Sequence, residues 1–274
     1  MHLLKRLTTL LALTLLLSLI GCSSLTLAYG QLPLLAGLWA DNYLDLDSAQ
    51  RRQLKTQLQA WQAWHRREEL PQWIALIHQA NSALDDGVTQ EELLALERGA
   101  RASVERCLQH AAPLAVPVLA GLRPEQWQHL QKKMDEKTEE WRDKHSGGRS
   151  PDERAKRYTN NLERWLGDLD RPVRKQAAAD ARSWHFDLPV MAQARAQRQA
   201  NLVRALRAWS HQDLAAGTAL LMQDSQTFAA EQPYRDEVVA SLLKLLNGLD
   251  ADQRAAVRKH WADWTAELRS LQAS

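Results

Sequence analysis

Hydrophobic residues recur three, four or seven positions apart along nearly the whole of this 274-residue chain. That spacing places apolar side chains on one face of an α-helix, whereas a half-buried strand would alternate apolar and polar residues. The pattern therefore predicts an all-α fold, with the tryptophans of the clearest stripes facing the core. Those stripes are Leu54, Leu58 and Trp61; Trp127, Leu130, Met134 and Trp141; and Val257, Trp261, Trp264, Leu268 and Leu271.

Polar residues at fixed offsets predict where several helices begin. Thr89 with Glu92, and Ser150 with Glu153, fit the capping box, in which a hydroxyl and a carboxylate each accept a hydrogen bond from the other residue's backbone. Three further starts, at residues 46–50, 122–126 and 249–253, place a leucine before the cap and a glutamine three residues after it. We expect these segments to fix how the chain enters each helix.

The beginning of the chain has the pattern of an export signal. Lys5 and Arg6 precede an uncharged apolar stretch at residues 7–20. This stretch is about 14 residues long, against the roughly 20 needed to cross a bilayer. We predict that residues 1–21 are a signal peptide and are absent from the mature protein.

Residues 19–22, Leu-Ile-Gly-Cys, resemble the bacterial lipobox, in which a small residue precedes a cysteine that is diacylated and becomes the new N-terminus. The resemblance implies lipid attachment at Cys22; the alternative is an ordinary secretory signal with an incidental cysteine. Ser23 and Ser24 follow, not the Asp that favours inner-membrane retention in enteric bacteria. The resemblance thus implies the periplasmic face of the outer membrane, with residues 22–30 as a lipidated tether.

The charge of the chain bears on nucleic-acid binding, and its cysteine content bears on nucleophilic chemistry. The chain has 35 Lys and Arg against 33 Asp and Glu, and loss of Lys5 and Arg6 with the signal peptide leaves 33 of each. A neutral mature protein has no compositional basis for binding nucleic acid, so none is predicted. Cys107 would be the one thiol left, within a helical pattern typical of a small buried apolar residue rather than a nucleophile.

The two sides of the polar segment 145–151 share a series of features in the same order. We interpret this as a diverged duplication of about 120 residues, with residues 31–146 and 151–274 forming two similar helical halves packed side by side. The matches are residues 45–47 with 168–170, Trp64-His65 with Trp184-His185, Leu70-Pro71 with Leu188-Pro189, Thr89 with Ser210, and Leu122 with Leu249.

Residues 27–29, 39–47 and especially 63–71, together with the lipobox, resemble a group of uncharacterised Gram-negative lipoproteins classed only as a domain of unknown function. That resemblance implies no known activity. A fainter similarity is to the periplasmic stress chaperones Spy and CpxP, which carry repeated Leu-Thr-x-x-Gln motifs. Here the starts at 46–50, 122–126 and 249–253 keep the Leu and Gln but have Asp or Arg in place of Thr.

The sequence carries few signs of catalytic chemistry. It contains no phosphate-binding glycine loop, nucleophile elbow, zinc-protease helix or paired-cysteine motif, so we predict neither a metal nor another cofactor. His65 and Glu68 could share a helix face, but a single such pair is a weak metal-site signal. The repeated Trp64-His65 and Trp184-His185 are the predicted position of any pocket, where a helix kinks ahead of a proline.

The predicted function is that of a non-enzymatic, membrane-anchored helical protein. Its partners would be the membrane, through acylated Cys22, and other envelope proteins, with chaperone-like binding as one form. One alternative is an envelope hydrolase acting on lipid or peptidoglycan fragments, with His65 or His185 as acid or base. A purely structural role is the other.

A second candidate binding site is a stripe of basic residues, Arg171, Arg174, Lys175 and Arg182, which lie within roughly 100° of one another on a helix. The stripe could contact anionic lipid headgroups or an acidic partner. It could also be a solvated face paired with acidic neighbours. The acidic residues considered for that pairing are Asp85, Asp86, Glu91 and Glu92.

The short distance from Cys22 to the first apolar helical segment also has a structural consequence. We predict that residues 31–44 form the first helix and bury most of their apolar face on the body of the protein. The leucines left exposed would then touch lipid.

Overall fold

The computed structural model describes residues 24–146, 151–185, 188–230 and 235–273, and these residues form helices joined by short turns, with no strand among them. The predicted all-α fold is confirmed. The helices of the first part are α1 (Ser24–Gly30), α2 (Leu32–Leu44), α3 (Ser48–Trp64), a π-helical turn (His65–Glu69), α4 (Leu70–Ala83), α5 (Gln90–Ala120) and α6 (Pro124–Ser146). Those of the second are α7 (Pro151–Leu166), α8 (Arg171–Ser183), α9 (Leu188–Ala208), α10 (Leu214–Ala230), α11 (Arg235–Asn247) and α12 (Ala251–Ala273).

Several predictions concern residues outside these ranges and stay predictions. The predicted signal peptide and Cys22 lie outside them, as does the cap at Ser150. Among the helices of the four described ranges, none is both long enough and apolar enough to cross a membrane.

Helix starts follow the predicted caps. At α3, Asp47 accepts hydrogen bonds from the backbone of Ala49 and Gln50, both at 2.9 Å, while the Gln50 side chain accepts from the Asp47 backbone. Thr89 and Glu92 form the same reciprocal pair at the start of α5. The starts at 122–126 and 249–253 also use their glutamines, which accept from the backbone N–H of the residue three positions before them.

The same helix pairs pack together in both halves of the chain. The pairs α2–α3, α3–α5, α2–α6 and α4–α5 of the first half have counterparts in α7–α8, α8–α11, α7–α12 and α9–α10 of the second. Contacts between the halves are also reciprocal, because α4 packs on α12 while α9 packs on α6, and α5 packs on α10. Helices of residues 31–146 and 151–274 are therefore interleaved, since each range sends a helix into the other, and the division into two similar halves stays a prediction.

The hydrophobic cores accordingly contain residues from both halves. One core joins the α4–α5 connection to α7, α8, α11 and α12, and a second joins Leu46, Val118 and Trp127 to Leu206 of α9. Trp127 is buried in the second core, and Trp261 is half-buried but packs against the first, so the predicted orientation is confirmed for these two tryptophans. Trp61 and Trp264 are also half-buried but are not among the residues packed against either core. The first core comprises Ala83, Leu84, Val88, Leu93, Leu162, Leu166, Ala177, Leu246, Leu249 and Val257.

Two buried glutamines join the starts of α3 and α6. The Gln50 and Gln126 side-chain amides bond each other, at 3.2 and 2.8 Å, and Gln50 also donates to the Gly121 carbonyl. Gln126, only 1% exposed, donates to the Asp45 carbonyl at 2.7 Å. In the second half the corresponding Gln253 donates instead to the Asp170 carboxylate at 2.7 Å.

The N-terminal helices differ from the prediction. A helix, α1, precedes α2 within the proposed tether, so α2 is not the first helix. The prediction that α2 buries most of its apolar face is wrong, because only Pro33 is buried. The leucines of α2 are distributed around the helix, and α3 and α6 cover just one side of it, where Gly37 lies against Leu58. The uncovered side carries Leu34, Leu35, Leu38 and Trp39.

Candidate functional site

An apolar groove of about 340 Å³ lies between α2, α3 and α5. Its size is at the lower end of the range of roughly 300–1,000 Å³ typical of small-ligand sites. The small side chains of Ala111 and Ala115 keep the α5 wall low, which leaves the space open. The lining residues are Leu32, Ala36, Leu54, Gln57, Leu58, Trp61, Ala111, Leu114 and Ala115.

Trp61 forms one end of the groove and is held in place from two sides. Its indole N–H donates to the backbone carbonyl of Cys107 at 3.1 Å. Its ring stacks on the imidazole of His65, with ring centroids 4.9 Å apart. Because the polar edge of the indole is satisfied by α5, the apolar ring is left to line the groove.

A polar network lies beyond Trp61, where the chain passes through the π-helical turn His65–Glu69. The turn carries Glu69 into the interior, where it is 1% exposed. Arg106 of α5 binds it with two hydrogen bonds, at 2.6 and 3.0 Å. The Tyr29 hydroxyl is hydrogen-bonded to His65 Nδ1 at 3.0 Å, and Gln62 donates to the Tyr29 carbonyl. The network therefore ties α1 to the π-helical turn and the turn to α5.

The electrostatics of this network suppress ionisation changes near neutral pH. Burial alone would raise the pKa of Glu69, but the hydrogen bonds and charge of Arg106 outweigh it and lower that pKa. Burial lowers the pKa of His65 below its ordinary value, although the Glu69 carboxylate opposes the shift. Burial, reinforced by Glu69, raises the pKa of the Cys107 thiol to about 11. At neutral pH these residues are an anion, a neutral imidazole and a protonated thiol.

The residues predicted to form a pocket do not come together. The Trp64 ring stacks on His110, with centroids 4.1 Å apart, whereas the ring of the adjacent His65 stacks on Trp61. Trp184 is buried in the other half and donates to the Ser241 hydroxyl at 3.2 Å. His185 is 94% exposed and contacts Glu237 at 2.8 Å. Ahead of Leu70-Pro71 the helix continues through a π-helical turn, whereas α8 ends at Ser183 and Leu188-Pro189 begin a separate helix, α9.

Two of the four residues of the predicted basic stripe form ion pairs between α7 and α8. Arg174 binds Glu163 at 2.5 Å and Arg182 binds Asp152 at 2.6 Å. Arg171 and Lys175 are exposed and have no ion-pair partner within the described ranges. The acidic neighbours considered from sequence are not the partners: Asp85 pairs with Arg258, and Glu92 caps α5. As a binding site for anions, the stripe stays a prediction.

In the part of the chain that the structure describes, no three His, Cys, Asp or Glu side chains are grouped so that they could hold a metal ion.

A family described as a family of unknown function (DUF6279) matches residues 42–235. The chain belongs to this family. The matched range of this DUF6279 protein contains α3, α4 and α5 and most of the groove, but it excludes Leu32 and Ala36 on α2. No curated protein and no solved structure matches the chain, so the similarity to Spy and CpxP stays a prediction.

The groove and the ion pair of Glu69 with Arg106 are the features that sequence reasoning missed. Leu54, Leu58 and Trp61 were identified as one stripe, but helical spacing is the same for a side chain that faces a core and for one that lines a groove. Ala111 and Ala115 are four residues apart, and this small-residue spacing on α5 is the one signal that could have indicated an open space.

Proposed function

We propose that this DUF6279 protein is an envelope lipoprotein, anchored by acylated Cys22, that binds apolar segments of other envelope proteins in the groove between α2, α3 and α5. The observation that carries the proposal is the groove itself. Of its nine lining residues only Gln57 is polar, so a ligand would be held by burial of apolar surface rather than by a pattern of hydrogen bonds.

The shape of the groove favours a polypeptide in helical or extended form. Residues of α2, α3 and α5 together line the groove, and an amphipathic segment can lay its apolar face into such a groove. Recognition by apolar contact with one polar side chain discriminates weakly among sequences. Weak discrimination is what chaperone-like binding requires.

Site-specific photocrosslinking in intact cells tests the groove. A crosslinking amino acid at Gln57, inside the groove, should give adducts with envelope proteins. The same amino acid at Gln59, which is exposed on the opposite side of α3, is the matched control and should give few. Filling the groove by Ala111→Trp should remove the Gln57 adducts. Equal adducts from both positions, adducts with lipid alone, or adducts that survive Ala111→Trp would contradict the proposal.

The anchor is tested separately. We expect Cys22→Ser to abolish metabolic labelling with palmitate in a Gram-negative host and to release the protein from membranes during high-salt and carbonate washing. Continued acylation, or unchanged membrane recovery, would show that attachment does not depend on Cys22.

A further inference from the structure

The outward side of α2 exposes large apolar side chains close together. Leu34, Leu35, Leu38 and Trp39 are 57%, 54%, 58% and 65% exposed, although they lie within six consecutive residues. From residue 31 to residue 40 the chain carries no charge, and the first charged residue, Asp41, is paired with Arg51 at 3.1 Å. A continuous apolar helix face without charge is unfavourable in water and marks a contact surface.

The second half of the chain shows that the fold does not require this exposure. Helix α7 occupies the position of α2, and the separation of Asp45 from Asp168 aligns Leu35 with Tyr158 and Trp39 with Leu162. Leu162 is 6% exposed and belongs to the first core, against which Tyr158 packs. The equivalent positions of α2 are equally apolar but uncovered. Among the described residues nothing covers these positions, which leaves them open to a contact surface outside the fold.

The position of the proposed anchor indicates what that is. Ser24, the first residue of α1, follows Cys22 by two positions, and α1 is seven residues long. At 1.5 Å per residue, α1 places the start of α2 within about 15–20 Å of Cys22. The acyl chains would hold this end of the molecule at the bilayer surface. Trp39 and Tyr43, whose ring centroids are 4.7 Å apart, supply the aromatic side chains that membrane interfaces favour.

We propose that α2 lies in the plane of the membrane, with Leu34, Leu35, Leu38 and Trp39 inserted at the boundary between headgroups and acyl chains. This inference rests on the anchor of the proposed function. A bilayer is favoured over a protein partner because the tether keeps lipid permanently beside this face, whereas a protein would have to displace it.

The experiment uses the lipidated full chain, purified from a Gram-negative host and reconstituted in vesicles of phosphatidylethanolamine and phosphatidylglycerol. Leu38→Cys and Val190→Cys, each combined with Cys107→Ala, carry a polarity-sensitive fluorophore. Val190 is the matched control, because it is an apolar residue 59% exposed on α9. We expect a blue shift and strong quenching by spin-labelled lipid at position 38, and neither at position 190.

Equal quenching at the two positions, or a blue shift at position 38 without quenching by lipid, would overturn the proposal. The second result would indicate a protein contact. Leu34→Cys repeats the measurement if Leu38→Cys does not give native helical content. The mass of the N-terminal peptide reports acylation independently, so failure of the anchor and failure of the α2 contact give different results.

Discussion

Glu69 is the buried centre of the polar network that lies beyond Trp61 at the groove. Its carboxylate is buried and its partner Arg106 is part-exposed, so loss of the carboxylate would leave a buried neutral amide beside a guanidinium that has lost its ion-pair partner. We expect Glu69→Gln to lower the free energy of unfolding by about 2–3 kcal/mol, less than for a fully buried pair because Arg106 can reach water. Urea unfolding measures the change. Glu68→Gln, which alters an exposed pair with Arg67, should cost about 0.5 kcal/mol or less.

The stability difference between the wild type and Glu69→Gln should depend on pH, because folding lowers the pKa of Glu69. Its pKa is lower in the folded protein than its ordinary value of 4.5, so ionised Glu69 stabilises the fold above that value. The contribution disappears as pH falls through the folded pKa. The gap in stability between the wild type and Glu69→Gln should therefore be constant from about pH 6 to 7 and should shrink below about pH 4. A gap that widens on acidification would contradict this assignment.

Cys107 should be an unreactive thiol. With a pKa of about 11 it is protonated at pH 8, and only the thiolate is nucleophilic. We expect its alkylation by iodoacetamide to be at least tenfold slower in the folded protein than in urea. Val104→Cys in a Cys107→Ala background is the control, because position 104 is exposed on the same helix and should react at nearly the unfolded rate. Equal rates at the two positions would show that burial does not control this thiol.

At the scale of the helices, the start of α6 should be the cap whose loss is most costly. Gln126 is buried and bonds two other segments, while Gln253 caps α12 near the surface. Gln126→Ala should lower the free energy of unfolding by about 2–4 kcal/mol, since it leaves the buried Gln50 amide and the part-buried Asp45 carbonyl without their partner. Gln253→Ala should cost about 1 kcal/mol, as for an ordinary cap. Thermal unfolding followed by circular dichroism compares them, and equal losses would mean that the buried amide pair contributes nothing beyond capping.

Local features of these helices were predictable from sequence and their partners were not. The cap at Thr89 depends on a residue three positions away, so the sequence contains all of it. Which side of α2 is covered depends on where α3 and α6 pack. The spacing of the leucines in α2 does not contain that information. The π-helical turn at His65–Glu69 likewise gave no periodic signal, because one extra residue in a turn hardly alters a stripe.

The same limit applies to the candidate site. Trp61 and His65 were recognisable as neighbours on one helix, but Arg106 and Tyr29 come from distant parts of the chain. The two Trp-His repeats misled because similar sequence produced a continuous helix at the first and a break at the second. Distant contacts are fixed by the whole fold rather than by the residues nearby.

At the scale of the whole molecule, the interleaving of α4 and α9 makes each half depend on the other. We expect residues 24–146 and 151–274, produced separately, to have little stable helix, and to regain native helical content when mixed. Circular dichroism and size-exclusion chromatography would detect this. The control is the full chain cleaved at a protease site inserted between residues 147 and 150, whose fragments should elute together. Two fragments that fold independently with sharp melting transitions would contradict the prediction.

Tyr29, Leu70 and Leu271 form a small cluster that joins α1 to α12 across nearly the full length of the chain. An exported polypeptide emerges from the translocon with its N-terminal end first, so α1 would reach the envelope long before α12. Until α12 arrives, Tyr29 and Leu70 would lack the Leu271 side chain that completes their cluster. With the chain exported and anchored as proposed, the cluster nearest the anchor would be the last to close, and the molecule would complete its folding only after its C-terminal helix has been released.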